Sequence, residues 1–137
     1  MTREQNILFY CIENSNRSQM AEAFGKMRNL TGINFYSAGS RPSGKVNPKA
    51  IDSMKHRGYD LSHHRSKSFD DLSHIHFDMV VSMGCGDDCP FVPSLKKLFW
   101  DIPDPRSLDS AGFNEIRDMI ENHVSVLIDG LVCTETM

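Results

Sequence analysis

An α/β fold with a parallel sheet covered by helices on both faces is predicted by three features of this sequence. Short apolar runs alternate with segments of helical periodicity. The length, 137 residues, suits one domain around one core, so 1–137 is read as a single unit. The chemically reactive side chains fall in loops that follow strands, the rim where open parallel sheets bind ligands.

The elements follow in order. "NILFYC", Asn6 to Cys11, is a buried strand bounded by polar residues. Met20, Ala21, Phe24 and Met27 then recur at helical spacing, with Asn16 or Ser18 as the cap, Glu22 in or near the first turn and Gly32 as the stop. "INFYSA", Ile33 to Ala38, is a second strand, and "GSRPSGKVNP" is a loop by composition. Pro48 opens a helix running to about Arg57 and closed by Gly58. The polar stretch that follows holds a short helix near Ser68 to Ser73. Phe77 to Met83 is a third strand, "GCGDDCPFVP" a loop, and "KLFWDI", Lys97 to Ile102, a fourth strand. Phe113, Ile116, Ile120, Val124, Leu127 and Leu131 form one stripe along a closing helix of about five turns.

The formal charge of −3, without a basic run, points away from nucleic acid. No apolar run is long enough to span a membrane, and "MTREQN" lacks the apolar core of a signal peptide. A cytoplasmic protein is expected. In that compartment Cys11, Cys85, Cys89 and Cys133 read as thiols with chemistry or as buried apolar groups, not as staples.

"CIENSNRS" joins the first strand to the first helix. A helix N-terminus offers unpaired N–H groups and a positive dipole end, and a tight loop entering it can curl its amides around an anion. The same amides favour the thiolate form of a cysteine held there. Arg17 adds a planar fork suited to two oxygens of a tetrahedral ion. Five residues separate Cys11 from Arg17, a sensible span for such a ring, with Asn14 bracing it and Ser18 donating to the sulfur. The competing reading is a buried cysteine that ends a core strand, followed by a solvated arginine.

"CIENSNRSQMAEAF" resembles the phosphate loop and first helix of the superfamily of low-molecular-weight protein tyrosine phosphatases and thioredoxin-coupled arsenate reductases. "FYSAGS", "NPKAIDSMKHRGYDLSHHRS" and "DIPDP" resemble further segments of that group, in the same order along nearly the whole chain. The resemblance implies a three-layer sandwich around a four-stranded parallel sheet, and chemistry without a metal. By position it makes Cys11 the nucleophile and Ile12, Glu13, Asn14, Ser15, Asn16, Arg17 and Ser18 the oxyanion-binding loop. Arg17 clamps the oxyanion and Asp104 is the general acid, with Asp101 as its rival. Two loop positions depart from the family. Glu13 stands where a small residue is usual, so its carboxylate repels a dianion unless it points to solvent. Asn16 replaces a second loop cysteine.

Phosphatases of this group carry aromatic residues after the acid's Asp-Pro; here Arg106, Ser107 and Leu108 follow Pro105. "GCGDDCP" instead resembles the redox segment of the arsenate reductases, although Cys85 and Cys89 stand closer than is usual there. The implied function is arsenate reduction through Cys11, Cys85 and Cys89. An external thiol completes the cycle: a thioredoxin-like protein, or glutathione or mycothiol with a glutaredoxin-type partner. Phosphomonoester hydrolysis on the same loop is the first alternative. A non-enzymatic oxyanion- or metal-binding module is the second, the two loop cysteines joining His63 and His64, or His74 and His76, around zinc. The histidines otherwise read as polar-loop residues, and Cys133 as packing, tail or a substitute resolving thiol. Some arsenate reductases bind potassium through an asparagine, a glutamate, a serine and an aspartate. Asn14, Glu22 and Ser37 match these, and Lys67 falls where the aspartate would be, which implies activity independent of potassium.

Overall fold

The computed structural model describes residues 4–84 and 94–135. Strands β1 (Gln5–Cys11), β2 (Ile33–Gly39), β3 (Phe77–Met83) and β4 (Ser94–Trp100) form one parallel sheet in the order β2-β1-β3-β4. Among the described residues three α-helices accompany them: α1 (Arg17–Met27), α2 (Pro48–Lys55) and α3 (Ser110–Glu135). Short 3-10 helices lie at Leu61–His63 and Phe69–Leu72.

Side chains alternate across β1, as a strand's period of two requires. Ile7, Phe9 and Cys11 enter the larger core cluster with Met20, Phe24, Met54, Phe113, Ile120 and Ile128, so all three α-helices pack on that face. Leu8 and Tyr10 enter the smaller cluster with Ala38, Leu72 and Val80, where the Phe69–Leu72 turn supplies the cover among the described residues. Phe9 stacks on Phe35 at 6.1 Å between ring centres and tilts against Trp100 at 5.8 Å, tying β1 to its neighbour β2 and, past β3, to the end of β4. No helix among the described residues is long and apolar enough to cross a membrane.

Several boundaries differ from expectation. Helix α1 stops at Met27 because Asn29 turns into the left-handed region (φ 50°), which ends helical hydrogen bonding before Gly32 is reached. Helix α2 stops at Lys55 rather than Arg57, though Gly58 (φ 82°) does close the turn beyond it. Strand β4 begins at Ser94 and ends at Trp100, earlier than "KLFWDI" suggests. At this edge of the sheet both faces are less covered, so the successive residues Lys96 and Lys97, which point to opposite faces, are both exposed and mask the strand's periodicity. Helix α3 extends beyond the apolar stripe at both ends, over 26 residues.

Candidate active site

The carboxyl end of β1 sits at the centre of the sheet, and the chain leaves it through residues 12–16 into α1. Outward hydrogen bonds fix this loop. The carbonyls of Cys11, Ile12, Glu13 and Ser15 accept from the backbone N–H of Ser40, Arg41, Ser43 and Asn47, at 3.2, 2.7, 3.1 and 3.2 Å. The Ser66 hydroxyl adds a second bond to the Glu13 carbonyl at 2.9 Å. With these carbonyls turned to the 40–47 loop, the N–H groups of residues 12–16 are the backbone donors left for an anion. Gly39, last in β2, permits the close approach: a β-carbon there would lie 2.6 Å from the Ile12 carbonyl oxygen and 2.8 Å from the Asn14 nitrogen.

Asn14 holds a left-handed backbone (φ 51°), a conformation that asparagine tolerates better than most residues but which needs support. The support is dense. The Gln19 amide donates to the Asn14 carbonyl at 3.1 Å, to Asn14 Oδ1 at 2.9 Å and to the Arg65 carbonyl at 2.9 Å. The Lys67 N–H donates to Asn14 Oδ1 at 2.9 Å. Asn14 Nδ2 in turn donates to Ser18 Oγ at 2.8 Å, and Ser18 Oγ lies 2.8 Å from Cys11 Sγ. Because that hydroxyl oxygen already accepts from Asn14, its own proton is free to point at the sulfur.

The N-terminus of α1 carries no side-chain cap. Asn16 stands at the capping position, but its side chain makes no capping bond, and its buried Oδ1 has no hydrogen-bond partner. Ser18 is committed to the sulfur. Neither residue caps the helix, which leaves the dipole end open to a ligand. Glu22 lies beyond the first turn.

Arg17 is 6% exposed and is aimed by three contacts. Its Nη1 donates to the Ile102 carbonyl at 2.9 Å, and its Nη2 lies 4.0 Å from Asp104 Oδ2. Gly84 (φ 72°) packs so closely that a β-carbon there would fall on the guanidinium. Cys11, Arg17 and Asp104 line one cavity of about 250 Å3 together with Ile12, Glu13, Ser15, Asn16, Arg41 and Arg106. Among the loop residues named from sequence, Asn14 and Ser18 lie behind it, fully buried. Asp101 is exposed and does not line the cavity. The Glu13 carboxylate does not merely face solvent: Arg106 Nη1 donates to its Oε2 at 3.1 Å.

Behind the loop lies a second polar cluster. Glu22 accepts from the Ser37 hydroxyl at 2.5 Å and from Lys26 Nζ at 2.5 Å, and Lys67 Nζ lies 3.7 Å away. Burial alone would raise the Glu22 carboxyl, but Lys67, Lys26 and the Ser37 hydroxyl outweigh it and hold the group below its usual range. His64 belongs here and not among the polar-loop residues. Its Nδ1 meets Gln19 Oε1 at 2.9 Å and its Nε2 meets the Tyr59 hydroxyl at 2.6 Å. Burial pushes His64 down to about 4, against the opposing pull of Glu22, so the ring is neutral at pH 7. An amide oxygen only accepts, so Nδ1 carries the proton and Nε2 accepts from Tyr59. His64 thereby orients Gln19, and Gln19 orients Asn14.

Among the described residues no group of His, Cys, Asp and Glu could hold a metal ion. Cys85 and Cys89 lie outside the described residues, as does the side chain of Cys133. Sequence does not disclose the roles of Gln19, Arg65, Gly84, the Ile102 carbonyl and Arg106; all but Gln19, which holds the nearby Asn14, act on a partner distant along the chain.

The fold is that of an α/β protein in which a cysteine at a strand end, an uncapped helix N-terminus and a buried arginine meet at one cavity. The chain belongs to the low molecular weight phosphotyrosine protein phosphatase family, whose sequence model matches residues 6–135. Arsenate reductase 1 of Staphylococcus epidermidis is 42% identical to it over 123 residues, 87% of this chain and 92% of that protein. A solved arsenate reductase in the phosphate binding state superposes with a TM-score of 0.81 at 30% identity, covering 92% of this chain and 98% of that one. The Corynebacterium glutamicum thioredoxin-dependent arsenate reductase gives 0.80 at 28% identity, over 97% of this chain and 64% of that one.

Proposed function

We propose that this protein is an arsenate reductase that works through a Cys11 thiolate and a cysteine relay. The observation that carries the reading is the single cavity shared by Cys11, Arg17 and Asp104, in a chain 42% identical to an arsenate reductase. The Cys11 thiolate attacks arsenate bound by the loop amides and the Arg17 guanidinium. An As–O bond breaks as the S–As bond forms, and Asp104 supplies the proton with which the oxygen leaves as water. Arsenic remains As(V). The Cys85 thiolate then attacks Cys11 Sγ, the S–As bond breaks, and its electron pair stays on arsenic, which departs as arsenite. The thiols have lost two electrons and now form a Cys11–Cys85 disulfide. Attack of Cys89 on Cys85 releases the Cys11 thiolate and leaves a Cys85–Cys89 disulfide. A thioredoxin-like dithiol reduces it by exchange. Glutathione or mycothiol with a glutaredoxin-type partner would supply the same electrons.

In the described structure Arg106 and Glu13 occupy the rim after the Asp-Pro pair, where an aryl ester would need an apolar wall. That favours a bare oxyanion over a tyrosine phosphate. The test is an NADPH-coupled assay with thioredoxin and its reductase: arsenate should drive NADPH consumption, and Cys85→Ser should abolish it. Turnover of para-nitrophenyl phosphate without arsenate-dependent NADPH consumption would establish the phosphatase instead, and neither activity would leave a binding module.

Lys67 gives a second expectation. Its ammonium lies 3.7 Å from Glu22 Oε1, where a monovalent cation would otherwise balance that carboxylate, and its backbone N–H holds Asn14. Arsenate reduction should therefore run equally fast in sodium and potassium buffers of matched ionic strength. A severalfold stimulation by potassium would contradict a tethered ammonium in that role.

A further inference from the structure

Glu13 and Arg106 are 93 residues apart, and each stands on a different loop at the mouth of the cavity. The Arg106 Nη1–Glu13 Oε2 bond of 3.1 Å joins the Cys11 loop to the Asp-Pro loop. On its other edge, Arg106 Nε lies 3.8 Å from Asp104 Oδ2, and the Arg106 N–H donates to Asp104 Oδ1 at 3.0 Å. The base of this arm is itself tethered, since Lys49 Nζ donates to the carbonyls of Arg106 and Leu108 at 3.3 and 3.1 Å. Thus Arg106 lies beside the carboxylate that would protonate the departing oxygen.

The geometry points to the Glu13–Arg106 ion pair as the substrate-selecting element of this cavity, a clasp that admits a free tetrahedral oxyanion and excludes an ester of one. This rests on the reading of the cavity as an oxyanion site. In-line displacement puts the leaving oxygen opposite Cys11 Sγ and next to its proton donor. A departing hydroxide needs no more room than water. A leaving oxygen bearing an organic group must place that group against Arg106, and can do so only by breaking the clasp. The pair also offsets a charge conflict, because an unpaired Glu13 carboxylate at the rim would repel a dianion. Both side chains are partly exposed, Glu13 at 37% and Arg106 at 62%, so the clasp discriminates by a modest factor rather than absolutely.

The test needs no turnover. Protection of Cys11 from iodoacetamide, followed by peptide mass spectrometry, is titrated with inorganic phosphate and with phenyl phosphate. In the unmodified protein, phosphate should protect at markedly lower concentration. In Glu13→Ala and in Arg106→Ala, the preference for phosphate should fall by about fivefold, the most a half-exposed pair can supply. The double variant should fall no further than the singles, because both remove one clasp. The exchanged pair, Glu13→Arg with Arg106→Glu, should restore the preference, which a merely structural role would not do. Equal protection by both ligands in the unmodified protein overturns the clasp while sparing the oxyanion site. An unchanged preference in the single variants does the same. Failure of both ligands to protect Cys11 overturns the oxyanion site and the clasp with it.

Discussion

Cys11→Ser should reduce arsenate at no measurable rate, a loss on the order of 10^4-fold or more, while still binding phosphate. The reason is partly acidity: a serine hydroxyl stays protonated at neutral pH where a thiol can ionise. It is mainly electron transfer. An oxygen at position 11 could form an ester with arsenic, but a later thiol attacking that oxygen has no disulfide to make, so arsenic gains no electron pair. The side chain is 3% exposed and of nearly the same size as serine, and Ser18 Oγ at 2.8 Å can hydrogen-bond to either atom. Folding should therefore survive. The check pairs the NADPH-coupled assay with calorimetric titration of phosphate. Residual reduction by the variant would mean that another thiol is the nucleophile, and loss of phosphate binding would mean that the sulfur helps build the ring.

Arg17→Lys should be nearly as damaging, lowering kcat/KM for arsenate by roughly 10^2- to 10^3-fold. Lysine keeps the charge and loses the plane. The guanidinium is held on one side by the Ile102 carbonyl at 2.9 Å and on another by the bare backbone of Gly84. That leaves its remaining N–H groups to meet two oxygens of one anion in fixed directions. An ammonium on a flexible stem satisfies at most one of these tasks at a time. Steady-state kinetics with arsenate as the varied substrate is the measurement. A loss within about fivefold would show that bulk charge suffices and that planarity is irrelevant.

What the sequence made legible, and what it hid, divides along sequence separation. Strand β3 was bounded as found, Phe77 to Met83, because an apolar run flanked by polar residues needs no partner to be recognised. Cys11 and Arg17 were legible because a strand end, a loop and a helix start are contiguous. Strand β4 differs from expectation because two successive lysines, one on each face of this edge strand, break the apolar pattern. Glu13 was read as a repulsive group because its neutralising partner is 93 residues away. The role of Gln19 is silent in the sequence, and His64 reads there only as a polar-loop residue or zinc candidate, because what they hold is an Asn14 backbone conformation and an amide orientation, and neither leaves a composition signal. Gly84 and the Ile102 carbonyl aim Arg17 through backbone atoms alone, which no side-chain identity announces.

The loop around the cavity is held closed by its own bonds to residues 40–47, 66 and 67. A rigid ring of that kind spends little ordering entropy on capture, and it measures only size, shape and charge. Phosphate and arsenate are near twins by those measures, so recognition alone cannot separate them. Wherever phosphate is abundant, such a protein would be occupied by the wrong twin much of the time. Fidelity then falls to the redox step, since thiols reduce pentavalent arsenic readily and pentavalent phosphorus not at all. The element, rather than the cradle, decides which visitor is changed.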